Sequence, residues 1–252
     1  MLLKSATKPL RPLLGPLWQR LHHVGSVAMW VSGTNTLKEM GFNPKTVFDI
    51  GVAAGTPDLY HAFPEAHFFL VDPTEGSLPH MRRIADEIDA EICSFALGDI
   101  EGEIDIEERL DDINGASLFR DIGPLGETKR YSVPIHRFDV AFPDFAGPAL
   151  CKIDVQGAEL MVLRGMGERI ADLDALIVEV SVLSTVDGGP EAWEIIGFMR
   201  EKGFVIFDIV GMARRPLDNA LGTVDLMFIK EDSPLRSDRR WRAAWPEDGA
   251  IK

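Results

Sequence analysis

Short apolar runs recur from residue 46 to residue 230, and amphipathic stretches separate them. The runs at about 46–50, 66–71, 91–96, 149–155, 174–182, 204–210 and 223–230 are rich in Val, Ile, Leu and Phe, and glycine, proline or aspartate bounds them. Such runs predict strands buried on both faces. Helices are predicted at 34–41, 56–63, 78–88, 157–164 and 190–202. Within 78–88, Leu78, Met81, Ile84, Ala85 and Ile88 share one face. The alternation breaks between 100 and 140. There 102–107 and 131–140 read as strands around a polar stretch, Asp111 to Thr128. This predicts a hairpin-like insertion with a long mobile loop, of the kind that more often serves function than mere connection.

Alternating strands and helices imply a mostly parallel sheet with right-handed crossovers. Ligands of such sheets bind beyond the carboxyl ends of the strands, near the point where strand order reverses. The residues of interest are therefore Asp49–Gly55, Asp72, Ala96–Asp99, Asp154–Gly157 and Glu179. The organisation expected is an arm (1–33), an α/β domain (34–232) and a tail (233–252).

Composition changes this picture little. A formal net charge of −14 over 252 residues argues against a general nucleic-acid binder. Cys93 and Cys151 lie in apolar runs without ligand spacing, which reads as buried small hydrophobes in a reducing, cytoplasmic compartment. No stretch approaches the length of a membrane span, and Pro9, Pro12 and Pro16 interrupt any signal-peptide core. Residues 1–32 hold Lys4, Lys8, Arg11 and Arg20 and no acid. They read as an arm packed on the core or over the substrate, or else as a contact for an anionic membrane surface. The tail, with Trp241, Trp245 and several arginines, reads as docked by its tryptophans or loose.

The chemistry begins at Val47-Phe-Asp-Ile-Gly-Val-Ala-Ala-Gly55. A carboxylate inside a buried strand is costly unless something binds it, and the glycines allow a tight turn. A dinucleotide site needs Gly-x-Gly-x-x-Gly here, but position 53 is Ala. The pattern is Asp-x-Gly-x-x-x-Gly, with Asp72 at the next strand end. That pair suits S-adenosylmethionine: an acid in the network of the cationic ligand, and a second acid for both ribose hydroxyls.

Further on, Lys152-Ile-Asp-Val-Gln-Gly-Ala-Glu159 with Val162-Leu163-Arg164-Gly165 closely resembles the hallmark segment of the FkbM family of methyltransferases. Leu37 to Pro44, Phe63 to Ala66, Ala96 to Asp99 with Gly102, Ala116 to Leu118, and Asp225-Leu-Met-Phe are also similar. The resemblance covers roughly residues 35–230. It implies a class I, Rossmann-like methyltransferase fold with an antiparallel last strand. It implies S-adenosylmethionine as cofactor and a hydroxyl acceptor on a small molecule or saccharide. Cofactor contacts are then expected from Asp49, Gly51, Ala53, Gly55, Asp72, Pro73, Ala96, Leu97 and Asp154. Two positions depart from the family: Asp72, where Glu is commoner, and Gln156, where Glu is common.

Methyl transfer needs the acceptor held in line, worth about 7–11 kcal/mol, and a base, worth roughly 10²–10⁴-fold. Asp154 is the first candidate base and Glu179 the second. His61 and His136 are further candidates, expected on a helix surface and on the hairpin. Lys152 is expected to pair with a buried acid, Glu159 to cap its helix or pack, and Ser117 to lie near the ligand. No metal-ligand set is expected. Competing readings are a non-catalytic S-adenosylmethionine-binding scaffold and a nicotinamide oxidoreductase, the latter opposed by Ala53. A homo-oligomer is compatible with the sequence, and no nucleic-acid partner or integral membrane segment is expected.

Overall fold

The computed structural model describes residues 29–30, 32–109, 117–118, 122 and 126–241. In chain order the strands are β1 (Thr46–Ile50), β2 (His67–Val71), β3 (Ala90–Cys93), β4 (Ala96–Gly98), β5 (Gly102–Arg109), β6 (Thr128–Arg137), β7 (Ala149–Ile153), β8 (Ala175–Ser181), β9 (Phe204–Arg214) and β10 (Leu221–Lys230). The α-helices are α1 (Pro57–Ala62), α2 (Leu78–Ala85), α3 (Phe138–Ala141), α4 (Glu159–Gly165) and α5 (Ala192–Glu201). Residues 32–39 are also helical.

Seven strands form one sheet in the order β3-β2-β1-β7-β8-β10-β9. β1 runs parallel to β2 and β7, and β10 runs antiparallel to β8 and β9. This is the mostly parallel sheet with an antiparallel last strand, the class I methyltransferase architecture. Strand order reverses between β1 and β7, so a crevice opens at their carboxyl ends.

Every residue of β1 and β7 is buried. Successive side chains point to opposite faces, so Phe48, Ile50, Cys151 and Ile153 join one core and Val47 and Leu150 the other. Both cysteines are buried and unbridged. The parallel register sets Asp49 beside Lys152, on the same face as Val47 and Leu150.

The insertion is a hairpin: β5 and β6 pair antiparallel over eight positions, from Gly102↔Ile135 to Arg109↔Thr128. Most of the predicted mobile loop at 111–128 lies outside the described residues. The predicted single strand 91–96 is instead two. β3 ends at Cys93, and β4 leaves the main sheet to pair in parallel with β6. Close packing explains the departure. A Cβ on Gly165 of α4 would sit 1.8 Å from the Gly98 carbonyl oxygen, so the helix rests directly on β4. The strand predicted to reach Val140 ends at Arg137, and 138–141 make a helical turn that buries Phe138. The final hairpin is longer than predicted, consuming half of the 211–222 loop.

The first helix, expected from Thr34, begins earlier, and Thr34 lies within it and donates its hydroxyl to the Trp30 carbonyl. Of the two tail tryptophans, Trp241 is 88% exposed and Trp245 lies outside the described residues. No helix among the described residues is long and apolar enough to cross a membrane.

Candidate active site

Beyond the ends of β1, β2 and β7 lies an open cleft of roughly 680 Å³. Seven of the predicted residues line it: Gly51, Ala53, Asp72, Pro73, Ala96, Leu97 and Asp154. Phe95, Ile106, Ser117, Leu118 and Gln156 complete much of the wall. Ser117 and Leu118 come from the insertion, so that segment reaches the site.

The glycine turn works by close approach. Gly51 has φ +78°, and a Cβ there would lie 1.7 Å from the Asp154 carbonyl oxygen. Only a residue without a side chain lets the loops after β1 and β7 touch. Ala53 also adopts the left-handed region, with φ +46°, at a cost of about 1 kcal/mol. Its N–H then donates to Asp72 Oδ2 at 2.9 Å.

Asp72 is buried at the β2 end. Its Oδ1 lies 2.9 Å from the Thr74 N–H, 2.6 Å from Thr74 Oγ1 and 2.7 Å from Ser77 Oγ. That oxygen is filled, while Oδ2 holds one protein donor and has a lone pair to offer. Oδ2 is thus the oxygen with room for a further donor. The hairpin steadies the loop below: the Gly76 N–H donates to Glu108, and Tyr131 donates its hydroxyl to Glu108 and accepts the Glu75 N–H.

Asp49 is not on the cleft wall. It is fully buried beneath the turn. Tyr60 donates to its Oδ2 at 2.5 Å, Thr56 donates to Oδ1, and Lys152 Nζ lies 3.2 Å from Oδ1. The binder that a buried carboxylate demands is thus supplied by the protein. Lys152 also donates to the Gly51 carbonyl at 2.6 Å. Burial pulls the Lys152 pKa down, but Asp49 and Asp154 outweigh it and hold the ammonium above its ordinary value. Burial and then Asp49 push the Tyr60 hydroxyl upward, so it remains a donor. Gly55 is likewise a turn residue: a Cβ there would meet Ile84 Cδ1 at 2.8 Å.

The other side of the cleft gathers acids. Asp154 follows β7, with its side chain 34% exposed and its Oδ2 3.6 Å from Lys152 Nζ. Glu179, in β8, does not line the cleft but touches it through Gln156, whose Nε2 donates to Asp154 Oδ1 (2.8 Å) and Glu179 Oε2 (3.2 Å). Asp225 in β10 stands opposite Glu179 in the register. Trp30 Nε1 donates to Asp225 Oδ2 at 2.9 Å. Gly211 leaves the room for that contact, since a Cβ there would lie 1.9 Å from the same oxygen. Glu159, the first residue of α4, is buried and accepts the N–H groups of Val155 and Gly157, so it fastens the loop before the helix and does not cap the helix's own N–H groups.

Burial raises the pKa of three of these acids, and mutual repulsion adds to it. Glu159 rises to about 7, with burial the main cause. Asp225 rises to about 6, from burial and then Asp154. Glu179 lies well above its ordinary range, from burial and then Asp154, Asp225 and Glu159. The two histidine candidates stand apart. His61 is in the last turn of α1 and exposed. His136 is paired with Glu101 on β6 and stacked edge-on against Phe95. No grouping of His, Cys, Asp and Glu among the described residues is suited to a metal ion.

Sequence reading missed Asp225, Trp30 and Tyr60 as part of this site. Asp225 carried the signal that exposed Glu179, an acid in an apolar strand. Trp30 and Tyr60 carried none.

Comparison with protein families matches residues 49–206 to the methyltransferase FkbM domain. The chain belongs to the FkbM methyltransferase domain family, and S-adenosylmethionine is the methyl donor this membership brings. Comparison with curated proteins finds no match. Among solved structures, the chain is similar to magnesium protoporphyrin IX methyltransferase from Synechocystis PCC 6803 with bound S-adenosylmethionine. That likeness has 14% identity, 84% of this chain and 81% of the other covered, and a TM-score of 0.46. It is also similar to 1,6-didemethyltoxoflavin-N1-methyltransferase from Burkholderia thailandensis, at 13% identity, 90% and 92% coverage and a TM-score of 0.45. The mitomycin 7-O-methyltransferase MmcR shares 15% identity over 86% of this chain and 58% of its own, with a TM-score of 0.40. Likenesses this distant carry no acceptor to this chain.

Proposed function

We propose that the protein, working in the cytoplasm through residues 34–232, methylates a hydroxyl oxygen of a small molecule or saccharide. The observation that carries this reading is one cleft with Asp72 on one side and Asp154 on the other. When bound, S-adenosylmethionine supplies an activated methyl group on a sulfonium centre; the protein's share is binding, alignment and proton handling.

The lining fits that group. Asp72 Oδ2 has a free acceptor position for a ribose hydroxyl. The backbone at Gly51 and Ala53 is bare enough for close approach, and Val71, Phe95, Leu97 and Leu118 offer apolar surface for a flat base. Asp49 acts from below, fixing the turn through Tyr60, Thr56 and Lys152. Asp154 is the base in this reading. With the donor bound, transfer of its methyl group to the acceptor oxygen would break the methyl–sulfur bond and leave S-adenosylhomocysteine, and the Asp154 carboxylate would take the hydroxyl proton and pass it to solvent. Glu179 assists from behind Gln156.

The test is transfer of a labelled methyl group to a panel of hydroxyl- and amine-bearing acceptors. Label on oxygen is expected. Label only on nitrogen overturns the oxygen reading, and no stabilisation of the protein by S-adenosylhomocysteine overturns the donor assignment.

A further inference from the structure

Gln156 joins three parts of the molecule. Its φ is +53°, the left-handed region, so the chain turns sharply between β7 and α4. Its carbonyl accepts the Ser117 hydroxyl at 2.7 Å. Ser117 is in turn locked to β5, exchanging two 3.1 Å backbone hydrogen bonds with Glu107. The peptide at 156 is therefore held from outside the main sheet. The side chain then reaches Asp154 Oδ1 and Glu179 Oε2 with one nitrogen. A primary amide nitrogen carries two hydrogens, one for each carboxylate.

We propose that Gln156 is a positioning residue for the acceptor side, holding Asp154 and Glu179 on separate hydrogen bonds of one neutral amide so that the two acids do not share a proton and Asp154 stays free to take the acceptor's. This rests on the methyl-transfer reading above. Two carboxylates brought together without such a donor hold one proton between them, and their titrations couple.

The surroundings make a neutral donor necessary at this position. The groups facing the pair are Asp225 from β10, Glu159 from α4, and Lys152 from β7. The one cation among these groups is already engaged, 3.2 Å from Asp49 and 2.6 Å from the Gly51 carbonyl. A glutamate at this position would have no hydrogen to give at neutral pH and would add a charge beside two others.

The test is a carboxyl-carbon NMR titration of the full chain without donor or acceptor. The wild type gives the reference titration of the Glu179 carboxyl, which burial and Asp154 already raise. In Gln156→Met, which keeps length and removes the donor, this step rises further, by about one pH unit or more. In Gln156→Glu a third acid joins, and the Glu179 step rises likewise. This variant serves if Gln156→Met does not fold. Titrations of both acids that match the wild type in the variant that folds overturn the proposal. Calorimetry of the wild type with S-adenosylhomocysteine is run beside it. Absence of binding there sinks the methyl-transfer reading while leaving the proton-partition result intact.

Discussion

At the ends of β1 and β2, each carboxylate is held by several protein donors. Asp49 is held by a tyrosine, a threonine and a lysine, and Asp72 by two hydroxyls and two backbone N–H groups. At the ends of β7 and β8, and on β10, acids crowd one another, and burial with mutual repulsion raises three of them. Asp154 and Glu179 share one amide, with Lys152 near the first and Thr223 bonded to the second, and Asp225 leans on a tryptophan from the first helical segment. A region with satisfied acids is rigid and defines one geometry, which suits a cofactor bound the same way at every turnover. A region of crowded, buried acids is unstable in its own charge and responsive to protons, which suits the place where a hydroxyl must be deprotonated.

The comparison can be broken at several points. Asp154→Asn removes the proposed base, and turnover is expected to fall by roughly 10²–10⁴-fold. Steady-state kinetics checks this, and unchanged turnover moves the base elsewhere. On the donor side, Lys152→Met leaves Asp49 buried and uncompensated. Denaturant unfolding should show a loss of about 3–5 kcal/mol, most of it regained when Asp49→Asn is added.

Glu159 gives a pH test. Its folded pKa, about 7, lies above its ordinary value, so between about pH 4.5 and 7 the folded state holds the proton that the unfolded state has lost. Its contribution therefore destabilises progressively as pH rises through that window, and the full penalty persists above it. Glu159→Gln should leave stability unchanged near pH 4 and raise it at pH 8 by up to about 3 kcal/mol, seen as a flatter plot of melting temperature against pH. The smallest effect is expected from Trp30→Phe, which removes the donor to Asp225. A loss of about 1 kcal/mol should accompany a rise in the Asp225 pKa, followed by NMR; no rise would remove Trp30 from the site.

The same contrast explains what could be read from the chain beforehand. The sheet was legible because its strands are continuous apolar runs. The donor side was legible because Asp49, Gly51, Ala53, Gly55 and Asp72 sit within one strand–helix–strand unit, where spacing maps onto geometry. Even so, the role of Asp49 was misplaced: its partner is Lys152, about a hundred residues away, and only the parallel register makes them neighbours. The acceptor side draws on residues 30, 154, 156, 179 and 225, which no local pattern connects. β4 escaped prediction because its exit from the main sheet depends on a helix, α4, that follows it by some sixty residues.

The account rests on Asp72 and Asp154 serving different molecules across one cleft. Calorimetric titration of S-adenosylhomocysteine into the wild type, Asp72→Asn and Asp154→Asn tests this most directly. Saturable binding by the wild type, affinity weakened about tenfold or more in Asp72→Asn, and affinity within about threefold of wild type in Asp154→Asn are predicted. No binding by the wild type, or Asp72→Asn binding as tightly as the wild type, would contradict it.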